Sequence, residues 1–290
     1  MIDIIIQLLI TGILLGGIYA LVSIGLCLIY GVLEIVNFAH GEFLMLSMYM
    51  TYWLFNTIGA DPYISILIIL PIFFIFGAAI ERIIIKPLIN ADHLNQIFAT
   101  VGLSMVFQNL ALLLWRADYR TITTAYSSKS MIVGNFMISF PRFIAFLIAI
   151  GIIVILFVFL KITYTGKAIR AVSQERRAAS LMGINVDRTY QIAFGIGIAI
   201  TGIGGAILMP IYYAFPTVGN LFSLIAFVVV VLGGYNNLIG ALAGGFIIGI
   251  VETFSGFYIT PHLKEAIYFA LFIMILLFRP TGLLGRKENA

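Results

Sequence analysis

The sequence predicts an all-α fold: a polytopic transmembrane helix bundle of about eight or nine spans, N-terminus outside and C-terminus cytoplasmic. Three observations predict it. First, hydrophobic residues make up 62% of the 290 and charged residues only 10%, against roughly half and a quarter in soluble domains. Polar side chains are too few to clothe a water-soluble globule. Second, the apolar residues fall in long runs, and about 20 such residues cross the hydrocarbon layer as a helix. Backbone groups in lipid must pair within their own segment, which selects helices over open sheet. Third, with nine spans and the N-terminus outside, eleven of the 16 Lys and Arg residues lie on the cytoplasmic side and five outside. The reverse orientation would invert that bias.

Breaks at charges and Pro/Gly clusters place the spans near 4–30, 39–58, 62–83, 96–115, 141–161, 189–213, 221–235, 240–258 and 265–279. The opening MIDIIIQLLI lacks a basic leader and a cleavage site, so it reads as the first span. The seventh span is short and ends in Gly233-Gly234-Tyr235-Asn236-Asn237, as either a full crossing or a broken, re-entrant element. Residues 1–290 form a single transmembrane domain with two long polar segments. Residues 116–140, rich in Thr, Tyr, Ile and Val, suit a short hairpin-like cover on the outer face. Residues 162–188 form the main cytoplasmic loop. Gly12/Gly16, Gly240/Gly244 and Gly245/Gly249 allow close helix contact in lipid.

Within the cytoplasmic loop, TYTGKAIRAVSQERRAASLMGINVDR, good helix formers run unbroken from Ala168 to Met182. Thr165 is placed to cap the start and Gly183 to cap the end in a left-handed conformation. Ala168, Ala171, Val172, Ala178, Ala179 and Met182 make a face of mostly small side chains, rimmed by Arg170, Gln174, Glu175, Arg176 and Arg177. Such a face fits closely into a groove on a partner; a solvated loop that fixes orientation by charge is the competing reading.

Several chemistries lack their residues. The single cysteine, Cys27, permits no intrachain disulfide and reads as a small core residue. The only Gly-Lys pair, Gly166-Lys167, lacks the rest of a phosphate-cradling loop. His40, His93 and His262 fit no zinc spacing. No enzyme, cofactor, metal or nucleic-acid partner is expected.

The string EIVNFAHGEF, 34–43, concentrates polarity between two apolar runs. On a helix, Glu34, Asn37 and Gly41 would share one face, as would Asn37 and His40. An ion at the bilayer centre costs about 2.5–3.5 kcal/mol, so these side chains either sit in a wet turn between spans or line a pathway. Asn37, His40 and Glu42 are the pathway candidates. Glu252, isolated in GFIIGIVETF, is either a further lining group or a structural partner.

Four stretches carry a resemblance: LLGGIYALVSIGLCLIYGVLEIVNFAHGEFLML (14–46), the cytoplasmic loop, AFVVVVLGGYNNLIGALAGGFIIGIVE (226–252) and RPTGLLG (279–285). In this order they resemble the branched-chain amino acid permease family of ABC importers, with Ile225 standing where many relatives carry a lysine. The resemblance implies an inner-membrane permease subunit of an ATP-driven importer for branched-chain or related amino acids. Urea or short amides remain possible cargo by the same likeness, and an ion-coupled secondary transporter is the competing class. It implies as partners two cytoplasmic ATPase subunits, a second homologous permease subunit and an extracytoplasmic binding protein. The ATPase contact would fall on Gly166, Arg170, Glu175, Ala178, Ala179 and Gly183.

Overall fold

A computed structural model describes residues 1–260, 263–279 and 282–284. His262, Gly285 and the cytoplasmic cations Arg286 and Lys287 of the charge count lie outside the described residues. All nine predicted spans are helices: α1 (Ile2–Leu33), α2 (His40–Ile58), α3 (Ile66–Ile80), α4 (His93–Trp115), α5 (Phe140–Ile162), then α8 (Val186–Leu208), α9 (Val218–Gly233), α10 (Leu238–Tyr258) and α11 (Lys264–Phe278). Two short helices, α6 (Tyr164–Gln174) and α7 (Arg176–Leu181), fall within residues 162–188. Six of the described helices are long and apolar enough to cross a membrane, while α9 and the end of α11 are shorter. α3 runs on into a π turn (Glu81–Ile85) and a 3-10 turn (Lys86–Leu88).

α1 is the central post, buried over most of its length against α10 and α8. Its glycines explain the fit. A Cβ on Gly16 would stand 2.7 Å from Phe246 Cα, and one on Gly245 would stand 2.6 Å from Ala20 N. Hydrophobicity does not drive helices together inside lipid, so close backbone packing of this kind is what holds them.

Loops at the two ends of the bundle clasp one another. β1 (Ser130–Val133) and β2 (Phe136–Ser139) form an antiparallel hairpin with Gly134 at φ +63° in its turn. Gln7 of α1 receives Met137 N at 3.0 Å and donates to Met137 O at 2.8 Å, acting as a surrogate strand neighbour. Tyr126 donates to Asp61 at 2.7 Å and stacks on Tyr63, tying this cover to the α2–α3 loop. At another end Lys86 meets Asp187 at 2.7 Å. Leu283 N and Leu284 N bond the carbonyls of Leu232 and Gly233, in the last turn of α9, at 2.8 and 3.2 Å.

The 162–188 segment departs from the single helix expected over 168–182. Thr163, not Thr165, caps the start, its Oγ1 accepting from Gly166 N at 3.0 Å. Glu175 then leaves the helix at φ −157° and caps α7 by accepting from Arg177 N at 3.1 Å. Local propensity does not call for that break. Ala168, Ile169 and Val172 of α6 are buried on one side of it, and Ala179 of α7 is buried again beyond it. Gly183 ends α7 as expected, at φ +82°, with Gly183 N on Ser180 O and Ile184 N on Ala179 O, a Schellman cap. The small-residue face is therefore split. Ala168, Val172 and Ala179 turn inward, whereas Ala178 and Met182 turn outward.

Candidate functional site

α1 ends at Glu34, which takes the left-handed conformation at φ 58° while its N–H holds Tyr30 O at 2.8 Å. The chain then unwinds, so Glu34, Asn37 and Gly41 do not share a helical face as expected. Nor is the stretch a wet turn. Ile35, Asn37 and Ala39 are buried, and Val36 O takes a hydrogen bond from Thr100 of α4 at 3.3 Å. Residues 34–39 fold back along the bundle, and α2 begins inside it. His40 lies against Val22 and Thr201, which belong to the bodies of α1 and α8 rather than to their ends.

A helix that starts in the interior brings unsatisfied N–H groups with it. The surrounding residues supply their partners. Asn37 Oδ1 accepts from Ala39 N at 3.1 Å, an Asx turn that aims the chain into α2. Gly41 N donates to Ser223 Oγ of α9 at 2.8 Å. His40 Nε2 lies 3.0 Å from both Val22 O and Thr201 Oγ1, and Thr201 passes its proton to Gly197 O at 2.9 Å. Nε2 therefore carries the hydrogen and donates to both.

Glu42, next along α2, organises a second cluster. Its Oε1 accepts from Gln108 Nε2 at 2.7 Å and Ser104 Oγ at 3.1 Å, both on α4. Gln108 also donates to Asn220 Oδ1 on α9 at 2.8 Å. Glycines bring these first turns together: a Cβ on Gly41 would stand 2.6 Å from Ser223 Oγ and overlap the Gly219 carbonyl. Three buried atoms here, Asn37 Nδ2, His40 Nδ1 and Glu42 Oε2, have no hydrogen-bond partner among the described residues. The centre is thus over-determined in its backbone yet holds unused polar capacity.

Of the predicted residues, the structure gathers Asn37, His40 and Glu42 at one place. Glu252 is elsewhere, 5% exposed between α10 and α1, where its Oε2 accepts from Tyr19 OH at 2.7 Å. All four are packed inside the bundle. Among the loop residues, Arg170, Glu175, Ala178 and Gly183 are exposed, Ala179 is buried, and Gly166 is pressed on α5, where a Cβ would stand 2.5 Å from Leu160 Cα. Sequence reasoning missed Ser104, Gln108, Thr201, Asn220 and Ser223. Their only signal was isolation, single polar residues within apolar runs. It also missed Glu81, 1% exposed in the π turn with Oε1 unpartnered among the described residues. Among the described residues no three His, Cys, Asp or Glu side chains gather as a metal set.

Fold and centre define a class: a multi-pass helical membrane protein with helices that begin inside the bundle, the construction on which transport sites are commonly built. The family described as branched-chain amino acid transport system / permease component matches residues 8–276, and the chain belongs to that family, a transport family rather than an enzyme family. It is 32% identical to the high-affinity branched-chain amino acid transport system permease protein LivH of Salmonella typhimurium, over 96% of this chain and 94% of that protein. It is 30% identical to the corresponding permease protein BraD of Pseudomonas aeruginosa, over 97% and 96%. The ribose import permease protein RbsC of Bacillus subtilis is 28% identical over 70% and 63%. No solved structure matches the chain.

Proposed function

We propose that this chain is one of two permease subunits of an ATP-driven importer for branched-chain or related amino acids, contributing half of the translocation pathway. It is a multi-pass protein of the bacterial inner membrane. The observation that carries the reading is the likeness, over nearly its whole length, to permeases named for branched-chain amino acid transport. The cytoplasmic loop adds a mechanical reason. α7 holds Leu181 and Met182 outward at 89% and 83% exposure, with Arg170, Arg176 and Arg177 also exposed nearby. An apolar tip with a charged rim fits a groove on a partner, here an ATPase subunit. Arg170, Glu175 and Ala178 face that partner, while Gly166, Ala179 and Gly183 shape the peg. The cation count puts the peg in the cytoplasm and the hairpin outside, toward the binding protein.

A push on the peg has a route inward. The buried side of α6 rests on α5, α8 and α1. α8 carries Thr201, which holds His40 at the start of α2. Tilting α8 therefore displaces the polar centre and, through Glu42 and Gln108, α4 and α9. An amino acid carries both charges, and a wall of neutral amides and hydroxyls with one acid passes it without trapping it.

Reconstitution tests this. Assembled with two ATPase subunits, a second permease and the binding protein, the complex should take up leucine only with ATP. Uptake by this chain alone, driven by an ion gradient without ATP, would replace the proposal with a secondary transporter. Uptake of urea or short amides in place of leucine would overturn the cargo.

A further inference from the structure

We propose that the outer face formed by α4, α9 and residues 34–39 is the seam on which the second permease subunit closes. The inference rests on the two-permease reading above and adds which surface that subunit covers.

The outward side chains of the helices are mostly hydrocarbon. α3 presents Leu67, Leu70 and Ile75, and α5 presents Leu147 and Ile155, all hydrocarbon and suited to acyl chains. α4 likewise exposes Phe98, Met105, Val106 and Leu113, but it and α9 add carboxamides to that surface. Asn109 is exposed and returns one N–H to Met105 O at 2.8 Å, leaving its oxygen unbonded among the described residues. Asn220 is exposed and accepts from Gln108 at 2.8 Å, and its own NH2 donates to nothing among the described residues. Facing lipid, these groups would have neither water nor protein to bond. A neighbouring helix that carries polar side chains supplies both donors and acceptors.

The shape of the face points the same way. α9 is buried along nearly all of its length, and Asn220, Leu221, Leu224 and Phe227 break the surface, at i, i+1, i+4 and i+7. That is a single helical stripe, the width one facing helix covers. Phe38 from the unwound segment stacks on Phe227 at 5.2 Å and widens it into a shallow ridge. At one end a cleft of about 310 Å³, lined by Gln108, Leu112, Tyr119, Phe215 and Thr217 among others, lies beside the same stripe.

The chemistry also selects the occupant. A carboxamide both donates and accepts, so a face carrying two of them complements a similar face turned by a two-fold axis. The seam therefore takes as its occupant the second permease of the reading above. An annulus of lipid, or a small apolar accessory helix, would leave the amides unmet. Gln108 ties this surface to the interior, since it joins Asn220 at the seam to Glu42 in the buried centre. Separation of the two permeases would therefore be felt at Glu42.

The test is site-directed photo-crosslinking in the assembled transporter, in native membranes. The photoreactive residue p-benzoylphenylalanine replaces Met105 or Leu224 on the proposed seam, and Leu70 or Ile155 on the apolar faces. Irradiation should give an adduct with the mass of two permeases from positions 105 and 224, and none from 70 and 155. Adducts from 70 or 155 without any from 105 or 224 would overturn the assignment while leaving the two-permease reading in place. The native mass of the purified complex separates that failure from the broader one: a complex with a single permease removes the second subunit and the seam with it. Asn220→Leu supplies a second readout. It should lower the yield of the 105 and 224 adducts severalfold while the chain remains in the membrane, and an unchanged yield would count against the amide contact.

Discussion

Replacing Gly41 with alanine sets two opposing effects against each other. Alanine is the better helix former by about 1 kcal/mol, so propensity alone predicts a more stable α2. The structure predicts the opposite. The new methyl would lie 2.6 Å from Ser223 Oγ and overlap the Gly219 carbonyl, so α2 or α9 must move. Overpacking of this kind costs about 1–3 kcal/mol, and loss of the Gly41 N to Ser223 Oγ bond costs about 1 more. The net effect is a destabilisation of about 1–3 kcal/mol, or a fall of roughly 5 °C in unfolding midpoint at about 2–4 °C per kcal/mol. The chain carries its own reporter: Cys27 is the single cysteine and is buried, so a thiol-reactive dye labels it only as the bundle opens. Gly102→Ala is the control, because a Cβ there meets nothing within 4 Å. Its midpoint should hold or rise slightly. A Gly41→Ala midpoint equal to or above wild type would refute the close crossing of α2 and α9.

Three further outcomes are expected. Ala178→Arg should abolish co-purification of the ATPase while leaving the dye midpoint within about 1 °C, since exposed substitutions rarely exceed 0.5 kcal/mol; normal assembly would remove the docking role of α7. Asn37→Leu leaves Ala39 N without its acceptor in a buried segment, a cost of about 1–3 kcal/mol, and should depress uptake several-fold in an intact complex; unchanged uptake would detach that segment from transport. The Tyr126–Asp61 latch should be insensitive to pH through the neutral range, because burial raises the phenol above the usual tyrosine value of 10.0. Its contribution is complete below that value and is lost as pH climbs through the elevated one, so a protection factor in the hairpin (exchange corrected for its intrinsic base-catalysed rise) that fell between pH 6 and 8 would contradict it.

The spans were legible because lipid imposes one rule on long apolar runs, and Gly183 was legible because a left-handed cap has few alternatives. The break at Glu175 was not. Gln174, Glu175 and Arg176 all favour helix, yet Glu175 leaves it at φ −157° and caps α7 instead. The polarity of 34–43 was visible as a concentration of side chains, and Asn37, His40 and Glu42 are all buried. That the chain unwinds and starts α2 within the bundle was hidden, since an exposed turn and a buried one have the same composition here. The partners Ser104, Gln108, Asn220 and Ser223 lie on other helices, and in one sequence nothing links a lone serine to a glutamate 62 positions away.

The pairing of Leu283 and Leu284 with Leu232 and Gly233 gives α9 an unusual anchor. The last carbonyls of a helix normally find their partners in the next few residues, but here residues some fifty positions downstream supply them. Whatever displaces the lower end of α9 must therefore drag the tail along or tear it loose. A tag or truncation at that tail is consequently no neutral modification, because it handles the hem of the very helix whose first turns hold Gln108 and Gly41.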